Sequence, residues 1–188
     1  MSSNKIDRRK KYTRMVLKES LLDSLKSKQI TSITVKEICE QADINRSTFY
    51  AHYHDQFDLL QQIEEELIDD MISFLKAYRS EEKGEVLQTT EKLIEYFASQ
   101  KETCLILLSQ NSHSSFEQKV REVAEQFIMV NQKNKLNTHP TTFKYISAYI
   151  ISGSIEVMKV WLQNNMDTSP KEIATLITDL SEGYSNKK

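Results

Sequence analysis

Short polar side chains followed by larger hydrogen-bond donors occupy residues 46–52 of this 188-residue chain. Arg46, Ser47 and Thr48 can hydrogen-bond to the edges of DNA bases, and an arginine pairs bidentately with guanine. Tyr50 and His52 can donate hydrogen bonds to phosphate oxygens. A helix that reads the major groove needs small polar residues near its start and anchoring donors behind them. The segment therefore predicts a DNA-recognition helix.

Capping signals around this segment predict the elements that position it. Thr34 with Glu37 three residues later is a capping box and predicts a short helix that begins at residue 35. Asn45 is a favourable N-cap for the recognition helix, and Asp55 is one for a long helix over 56–78. Two short helices with a turn of about four residues between them have the spacing of a helix-turn-helix.

The scarcity of turn-forming residues predicts an all-α fold. Only three glycines and two prolines occur, whereas the many tight turns of a β-sheet protein depend on both. Apolar periodicity predicts a first helix that ends near Lys28, and further helices at about 85–99, 101–109, 115–133, 140–164 and 170–183. We expect a three-helix DNA-binding domain over 1–55 and a helical regulatory and dimerisation domain over 56–188.

Charge is distributed unevenly along the chain. Residues 1–55 contain 11 lysines and arginines against seven acidic residues, a net charge of +4, and the remainder has 14 against 20, a net of −6. A basic module joined to an acidic one favours a polyanionic partner at one end. A solvated basic tail is the alternative, and charge alone leaves both open for Lys5, Arg8 and Arg9.

Other sequence features predict a cytoplasmic protein. Cys39 and Cys104 lie in apolar helical segments and suggest no disulfide framework. The basic N-terminus lacks the apolar run of a signal peptide. The longest uncharged apolar stretch, between Lys144 and Glu156, is shorter than the roughly 20 residues that a membrane-spanning helix needs. We expect no membrane partner.

A resemblance to the DNA-binding module of the tetracycline-repressor (TetR, AcrR-like) family runs through residues 34–60, which read TVKEICEQADINRSTFYAHYHDQFDLL. The match includes the N-cap Thr34, the turn at Ala42, the Thr48-Phe49-Tyr50 core of the recognition helix and Tyr53. Residues 143–170 resemble the C-terminal domain of a Firmicute-type branch. The resemblance implies a dimeric transcriptional repressor that binds a palindromic double-stranded DNA operator and is released by a small ligand.

Residue types and resemblance together predict nine DNA contacts. Lys36 projects toward the same groove as the recognition helix, and the resemblance implies that its position touches bases. The predicted set is Thr34, Lys36, Asn45, Arg46, Ser47, Thr48, Tyr50, His52 and Gln56. Cys39, Ile44, Phe49 and Tyr53 are expected to be core residues instead.

Two positions depart from the family pattern. Asp43 stands where a glycine commonly follows the alanine of the turn, and aspartate tolerates the left-handed conformation better than most residues. Gln56 stands where the family usually has a lysine that meets a phosphate. Backbone N–H groups at the helix N-terminus are an alternative donor for that phosphate.

The last two predicted helices are apolar enough to pair with their copies in a four-helix dimer interface. The expected interface residues are Ile150, Gly153, Val157, Trp161, Ile173, Ile177 and Leu180. Gly153, between two serines, allows close approach of another helix. The alternative is that both helices are buried inside a monomeric core.

The resemblance also implies an effector pocket. Its candidate lining residues are Phe74, Tyr78, Tyr96, Phe97, Cys104, Phe116, Phe127 and Tyr149. Taken one at a time, each of them is better explained as an ordinary core residue. We expect a small, largely apolar effector, with control by a protein partner as the alternative. Cys104 as a redox sensor is a further alternative.

No pattern in the sequence indicates catalysis. The chain has no nucleophile elbow and no glycine-rich phosphate loop. His52 and His54, two residues apart on a helix, point in different directions and do not suggest a metal site. We expect a protein that is not an enzyme and uses no cofactor or metal.

Overall fold

A computed structural model describes residues 2–78, 85–109, 111–132 and 140–185 of the chain. These residues form helices joined by short turns, with no strand among them. The elements are α1 (Ser2–Leu25), a 3₁₀ turn (Ile30–Ser32), α2 (Val35–Ala42), α3 (Arg46–Tyr50), α4 (Gln56–Tyr78), α5 (Glu85–Ser99), α6 (Lys101–Leu107), α7 (Phe116–Gln132), α8 (Pro140–Gln163) and α9 (Pro170–Ser185). The all-α prediction is confirmed.

Most helix boundaries lie within two residues of their predicted positions, and the residues predicted to cap α2, α3 and α4 do act as caps. Pro140 and Pro170 each occupy the first position of a helix, where the missing N–H costs nothing. Ser169 and Glu172 form a second capping box in front of α9, with hydrogen bonds of 3.0 and 3.3 Å. The first helix was predicted too long, since it ends at Leu25 in a turn instead of near Lys28.

The chain divides into two compact units. The first comprises residues 1–67 and 106–114. Here α1 packs against α2, and α2 packs against α3. The core consists of fully buried side chains from α1 and its neighbours, among them Leu17, Leu21, Leu25, Ile38, Phe49 and Leu59. Segment 106–114 is fastened to this unit by a 3.0 Å hydrogen bond from the Ile30 N–H to the Asn111 carbonyl.

The second unit comprises residues 68–105 and 115–188. In it α9 packs against α5 and α8, and α8 also packs against α7. The buried core includes Ile94, Phe97, Cys104, Phe116, Ile151 and Leu162. The Trp161 indole N–H donates to the Thr168 carbonyl at 2.9 Å, which satisfies its one polar atom inside the core. The α4 helix contributes residues 56–67 to the first unit and 68–78 to the second.

Both cysteines are buried and free. Burial raises the pKa of the Cys104 thiol to about 12, so the thiol is neutral at physiological pH. A reactive sensor cysteine needs an accessible thiolate, which burial denies to Cys104. Among the described helices none is both long and apolar enough to cross a membrane.

Candidate nucleic-acid interface

The start of α2 is fixed by a complete capping box. The Thr34 hydroxyl oxygen accepts from the Glu37 N–H at 3.2 Å, and a Glu37 carboxylate oxygen accepts from the Thr34 N–H at 2.9 Å. The same carboxylate accepts from the Lys28 ammonium at 2.9 Å. The bonds from Lys28 first, and then from Thr34, lower the pKa of Glu37 to about 2. These contacts fix the start of α2, on which Lys36 is exposed.

The turn between α2 and α3 is formed by a residue in the left-handed region. Asp43 has φ 53° and ψ 43°, and its N–H bonds back to carbonyls at the end of α2. The Ile44 N–H donates to the Cys39 carbonyl at 3.0 Å, completing a helix-terminating turn. Aspartate thus occupies the left-handed conformation in which a glycine is commonly found.

The recognition helix α3 is short and capped at its start. The Asn45 side-chain oxygen accepts from the Ser47 N–H at 2.9 Å and from the Ser47 hydroxyl at 3.0 Å. Phe49 is fully buried and anchors the helix from below. Tyr50 packs edge-on against Phe49, with ring centroids 5.6 Å apart, and remains 58% exposed. Cap and anchor together orient the outer face of a five-residue helix.

An open groove of about 610 Å³ lies on the outer side of these two helices. It is lined by Lys36, Cys39, Glu40, Asp43, Ile44, Asn45 and Arg46. The Lys36 ammonium lies 3.7 Å from a Glu40 carboxylate oxygen. Two cations and two carboxylates therefore share one surface, an arrangement that can present donors and acceptors to a polar ligand.

The predicted DNA contacts fall into three groups. Lys36, Arg46, Ser47 and Tyr50 are exposed on the outer side, while Thr48, His52 and Gln56 are half-buried. Thr34 and Asn45 are exposed too, but their side chains serve as helix caps. The expected core residues Cys39, Phe49 and Tyr53 are buried, and Ile44 is half-buried.

Four of the seven groove residues were absent from the predicted DNA contacts, and two of these four are acidic. Glu40 and Asp43 carry carboxylates into the groove beside Lys36 and Arg46. A carboxylate can accept a hydrogen bond from the amino group of cytosine, so such residues can take part in base reading. The four-residue spacing of Lys36 and Glu40 places them on one helix face and is the signal that could have found Glu40.

Comparison with known proteins identifies the chain. Residues 84–183 match a TetR family model described as "Transcriptional regulator C-terminal region". The chain belongs to the TetR family of transcriptional regulators. Membership confirms the family that the sequence motif predicted. It also confirms the expectation that the protein is a transcriptional regulator and not an enzyme.

Relatives of this TetR-family chain agree with that assignment. An uncharacterised HTH-type transcriptional regulator of Bacillus subtilis, YxbF, is 22% identical over 171 residues. The match covers 87% of this chain and 43% of YxbF, so the chain spans less than half the length of that relative.

Solved structures show the same fold. A TetR transcriptional regulator from Streptococcus agalactiae has a TM-score of 0.69 and 18% identity, with 96% of this chain and 99% of that chain covered. NalD, the secondary repressor of the MexAB-OprM multidrug efflux pump in Pseudomonas aeruginosa, has a TM-score of 0.64 and 16% identity, with 90% and 93% covered.

The candidate effector-pocket residues belong to the second unit and differ from one another in contacts and burial. Phe74, Tyr96 and Phe97 form an aromatic cluster, with the Tyr96 ring 5.0 Å from Phe74 and 5.6 Å from Phe97. The Tyr96 hydroxyl donates to an Asp70 carboxylate oxygen at 2.8 Å. Cys104 and Phe116 are fully buried, Phe127 is half-buried and Tyr149 is exposed. The side chain of Tyr78 lies outside the described residues.

The candidate dimer residues also differ in burial. Ile150, Trp161 and Ile173 are buried within the TetR-family chain itself, and Val157 and Ile177 are half-buried. Gly153 and Leu180 are exposed, and a Cβ added at Gly153 would meet no atom within 4 Å. Helices α8 and α9 also carry large exposed apolar residues outside the seven expected interface residues: Tyr145, Val160 and Leu176.

Proposed function

We propose that this TetR-family regulator binds DNA through α2 and α3, with Arg46 reading a base and Tyr50 holding a phosphate. The proposal rests chiefly on the exposed Arg46 side chain at the start of a capped helix. Arg46 forms no ion pair within the described ranges, so its guanidinium is available to a base edge. Bidentate pairing with guanine is the commonest specific contact of arginine in the major groove.

Within this proposal the two domains that the sequence predicts, residues 1–55 and 56–188, have different roles. The basic N-terminal segment binds DNA, with a domain boundary after residue 55 as the sequence predicts, and the remainder handles regulation and dimerisation. Such a protein meets its operator in the cytoplasm. The α4 helix, which contributes to both units, is the element through which regulation reaches α2 and α3.

A homodimer would form through the outer sides of α8 and α9. Tyr145 is 71% exposed, Tyr149 62% and Leu180 56%, and the first two lie one turn apart on α8. Apolar side chains grouped on a monomer's surface are typical of protein interfaces. Gly153 lies one further turn along, where its missing side chain lets a partner helix approach. A two-fold dimer predicts a palindromic operator.

The regulator would act as a repressor, as NalD does in Pseudomonas aeruginosa. The aromatic cluster of Phe74, Tyr96 and Phe97 supports a small, largely apolar effector with one polar group. Asp70 and Tyr96 supply the polar recognition there. Control by a protein partner is the competing hypothesis, and direct binding measurements with apolar compounds separate the two.

Selection of bound sequences from random double-stranded DNA tests the proposed DNA binding. We expect an enriched palindrome whose half-site centres are about 34–36 Å apart or a multiple of that distance. Arg46→Ala should abolish enrichment at one base position of each half-site while the thermal melting curve stays unchanged. Recovery of no enriched sequence at moderate salt would overturn the proposal, and a non-palindromic site would overturn the dimeric reading of the operator.

A further inference from the structure

The side of α2 that faces the groove carries a pair of opposite charges. Lys36 and Glu40 are four residues apart, so their side chains lie on the same side of the helix. The Lys36 ammonium is 3.7 Å from a Glu40 carboxylate oxygen, and both residues line the groove. Their side chains are 61% and 66% exposed. A pair this open to water contributes little to the stability of the fold, and both charged groups remain accessible to a ligand.

This pair is poorly suited to a phosphate of the DNA backbone. A phosphate oxygen that approached the Lys36 ammonium would also come close to the Glu40 carboxylate. The repulsion between the two anions would offset much of the attraction to the ammonium. A ligand that suits the pair must instead present a hydrogen-bond acceptor and a hydrogen-bond donor side by side.

The major-groove edge of a G·C base pair presents this combination. Guanine offers the acceptors O6 and N7, and cytosine offers its N4 amino group as a donor. O6 and N4 are hydrogen-bonded to one another across the base pair, which places them about 3 Å apart. The 3.7 Å between ammonium and carboxylate is close to that separation. An A·T pair suits the ammonium less well, because thymine offers O4 alone, beside its methyl group.

We infer that Lys36 and Glu40 together read one G·C base pair of the operator, and that Glu40 is thereby a specificity-determining residue. The inference rests on the proposed DNA binding. The Lys36 ammonium donates to guanine, and the Glu40 carboxylate accepts from the amino group of cytosine. Against a base pair that lacks this amino group in reach, the carboxylate loses its water and gains no donor, which is costly. Glu40 therefore discriminates by excluding wrong partners as well as by binding the right one.

Selection of bound sequences from random double-stranded DNA tests the pair with a matched control. Lys36→Met and Glu40→Met each remove one charged group and keep an unbranched side chain that favours a helix. Each should reduce the preference for G·C about tenfold, and at the same position of each half-site. Asp43→Asn is the control, because it also removes a carboxylate from the groove and asparagine tolerates the left-handed conformation at φ 53°. It should leave that preference unchanged.

Each competing role of the pair gives a different result. If Glu40→Met raises affinity for all sequences as Asp43→Asn does and changes no base preference, Glu40 only repels phosphates and the inference is wrong. The inference is also wrong if Lys36→Met and Glu40→Met affect different positions, or if the shared position is A·T. If Lys36→Met makes the slope of log affinity against log salt shallower by about 0.9 and leaves the enriched sequence intact, Lys36 binds a phosphate and the shared reading is overturned.

These outcomes leave DNA binding by the unmodified protein intact. Failure of the unmodified protein to enrich any sequence would overturn the proposed function itself, and the reading of a G·C pair with it. Thermal melting curves of all three variants, which should match that of the unmodified protein, exclude a loss of fold as the cause of a changed preference.

Discussion

At the scale of single residues, two kinds of side chain share the outer surface of α2 and α3. Thr34, Asn45 and Ser47 have polar atoms already engaged in helix caps. Arg46 and Tyr50 are exposed and take no part in a cap. Capping residues support the helices, and their replacement would weaken binding by destabilising the fold. Replacement of Arg46 or Tyr50 should weaken binding and leave stability nearly unchanged.

Arg46→Ala should lower operator affinity by about 1–3 kcal/mol, the value of a good bidentate pair with a base. The decrease should appear against the selected operator and be much smaller against unrelated DNA, because phosphate contacts remain. Fluorescence anisotropy with both DNAs measures the difference. Lys171→Ala, which removes an exposed cation from α9, is the matched control and should change neither affinity. An equal decrease on both DNAs would assign Arg46 to a phosphate.

Glu37 links the interface to pH. Its pKa is about 2 in the folded protein, mainly because Lys28 and then Thr34 donate hydrogen bonds to the carboxylate, against an ordinary value of 4.5. A lowered folded-state pKa contributes stability that is present above pH 4.5 and disappears as pH falls toward 2. Glu37→Gln should therefore lower the melting temperature at pH 7, and the difference should shrink as pH falls below 4.5.

Glu40→Gln is the control for that pH experiment, since it removes an exposed carboxylate from the same helix without altering the cap. The melting temperature of the Glu40→Gln variant should differ only slightly from that of the unmodified protein, and the difference should not change with pH. The pKa of the Glu37 carboxylate is about 2. If Glu37→Gln still lowers the melting temperature by its full amount near that pH, the effect comes from packing and not from the ionised cap.

At the scale of elements, the turn after α2 gives a test of backbone conformation. A side chain at φ 53° costs roughly 1–2 kcal/mol for an ordinary residue, and less for aspartate. Asp43→Val should lower the free energy of unfolding by about 1–2 kcal/mol, whereas Asp43→Gly should leave it equal or raise it. Urea denaturation measures both. A valine variant as stable as the glycine variant would contradict a conformational origin of the effect.

Local signals predicted the helices well because capping is a local interaction. The box at Thr34 and Glu37 and the cap at Asn45 involve residues two or three apart, so the sequence contains the whole interaction. The burial of Cys39 and Phe49 followed from the same short segment. Spacing along α2 places Glu40 beside Lys36, but the proximity of Glu40 and Asp43 to Arg46 depends on how α2 and α3 cross, which spacing alone does not encode.

Helix α8 shows where periodicity stops being informative. Its apolar residues lie on two sides, and sequence spacing does not say which side meets the rest of the same chain. The structure buries Ile150 and Trp161 internally and leaves Tyr145 and Tyr149 outside. A partner interface would therefore use a side of α8 rotated from the predicted one. The predicted Gly153 and Leu180 remain on the exposed surface.

At the scale of the whole molecule, self-association can be tested without disturbing the monomer. Gly153 is exposed and an added Cβ there meets nothing within 4 Å, while replacing glycine by leucine favours a helix by up to about 1 kcal/mol. Gly153→Leu should therefore weaken dimerisation while raising or preserving the melting temperature of the monomer. A cost of about 1.4 kcal/mol at the interface corresponds to a tenfold weaker dimer. Sedimentation velocity across a concentration series measures the association.

Leu180→Arg should also weaken the dimer, because it places a charge on an apolar contact surface. Val86→Arg is the control, since Val86 is another exposed apolar residue, located on α5. It should leave association unchanged. An unmodified protein that sediments as a monomer at tens of micromolar would contradict the proposed dimer altogether.

If an effector releases the protein from DNA, thermodynamic linkage ties the affinity for operator DNA to the affinity for the effector. A ligand that lowers operator affinity a hundredfold must prefer the non-binding state by about 2.7 kcal/mol, and operator DNA must weaken ligand binding by the same factor. Apolar compounds found by thermal shift should therefore bind about a hundredfold more weakly in the presence of saturating operator.

Tyr96→Phe removes the hydrogen bond to Asp70 and tests whether compounds with a polar group use it. Phe57→Leu, a change at an exposed aromatic residue of the first unit, is the control and should leave ligand affinity unchanged. Compounds that bind the free protein and the operator complex equally would contradict release by ligand, and would favour a protein partner as the controlling molecule.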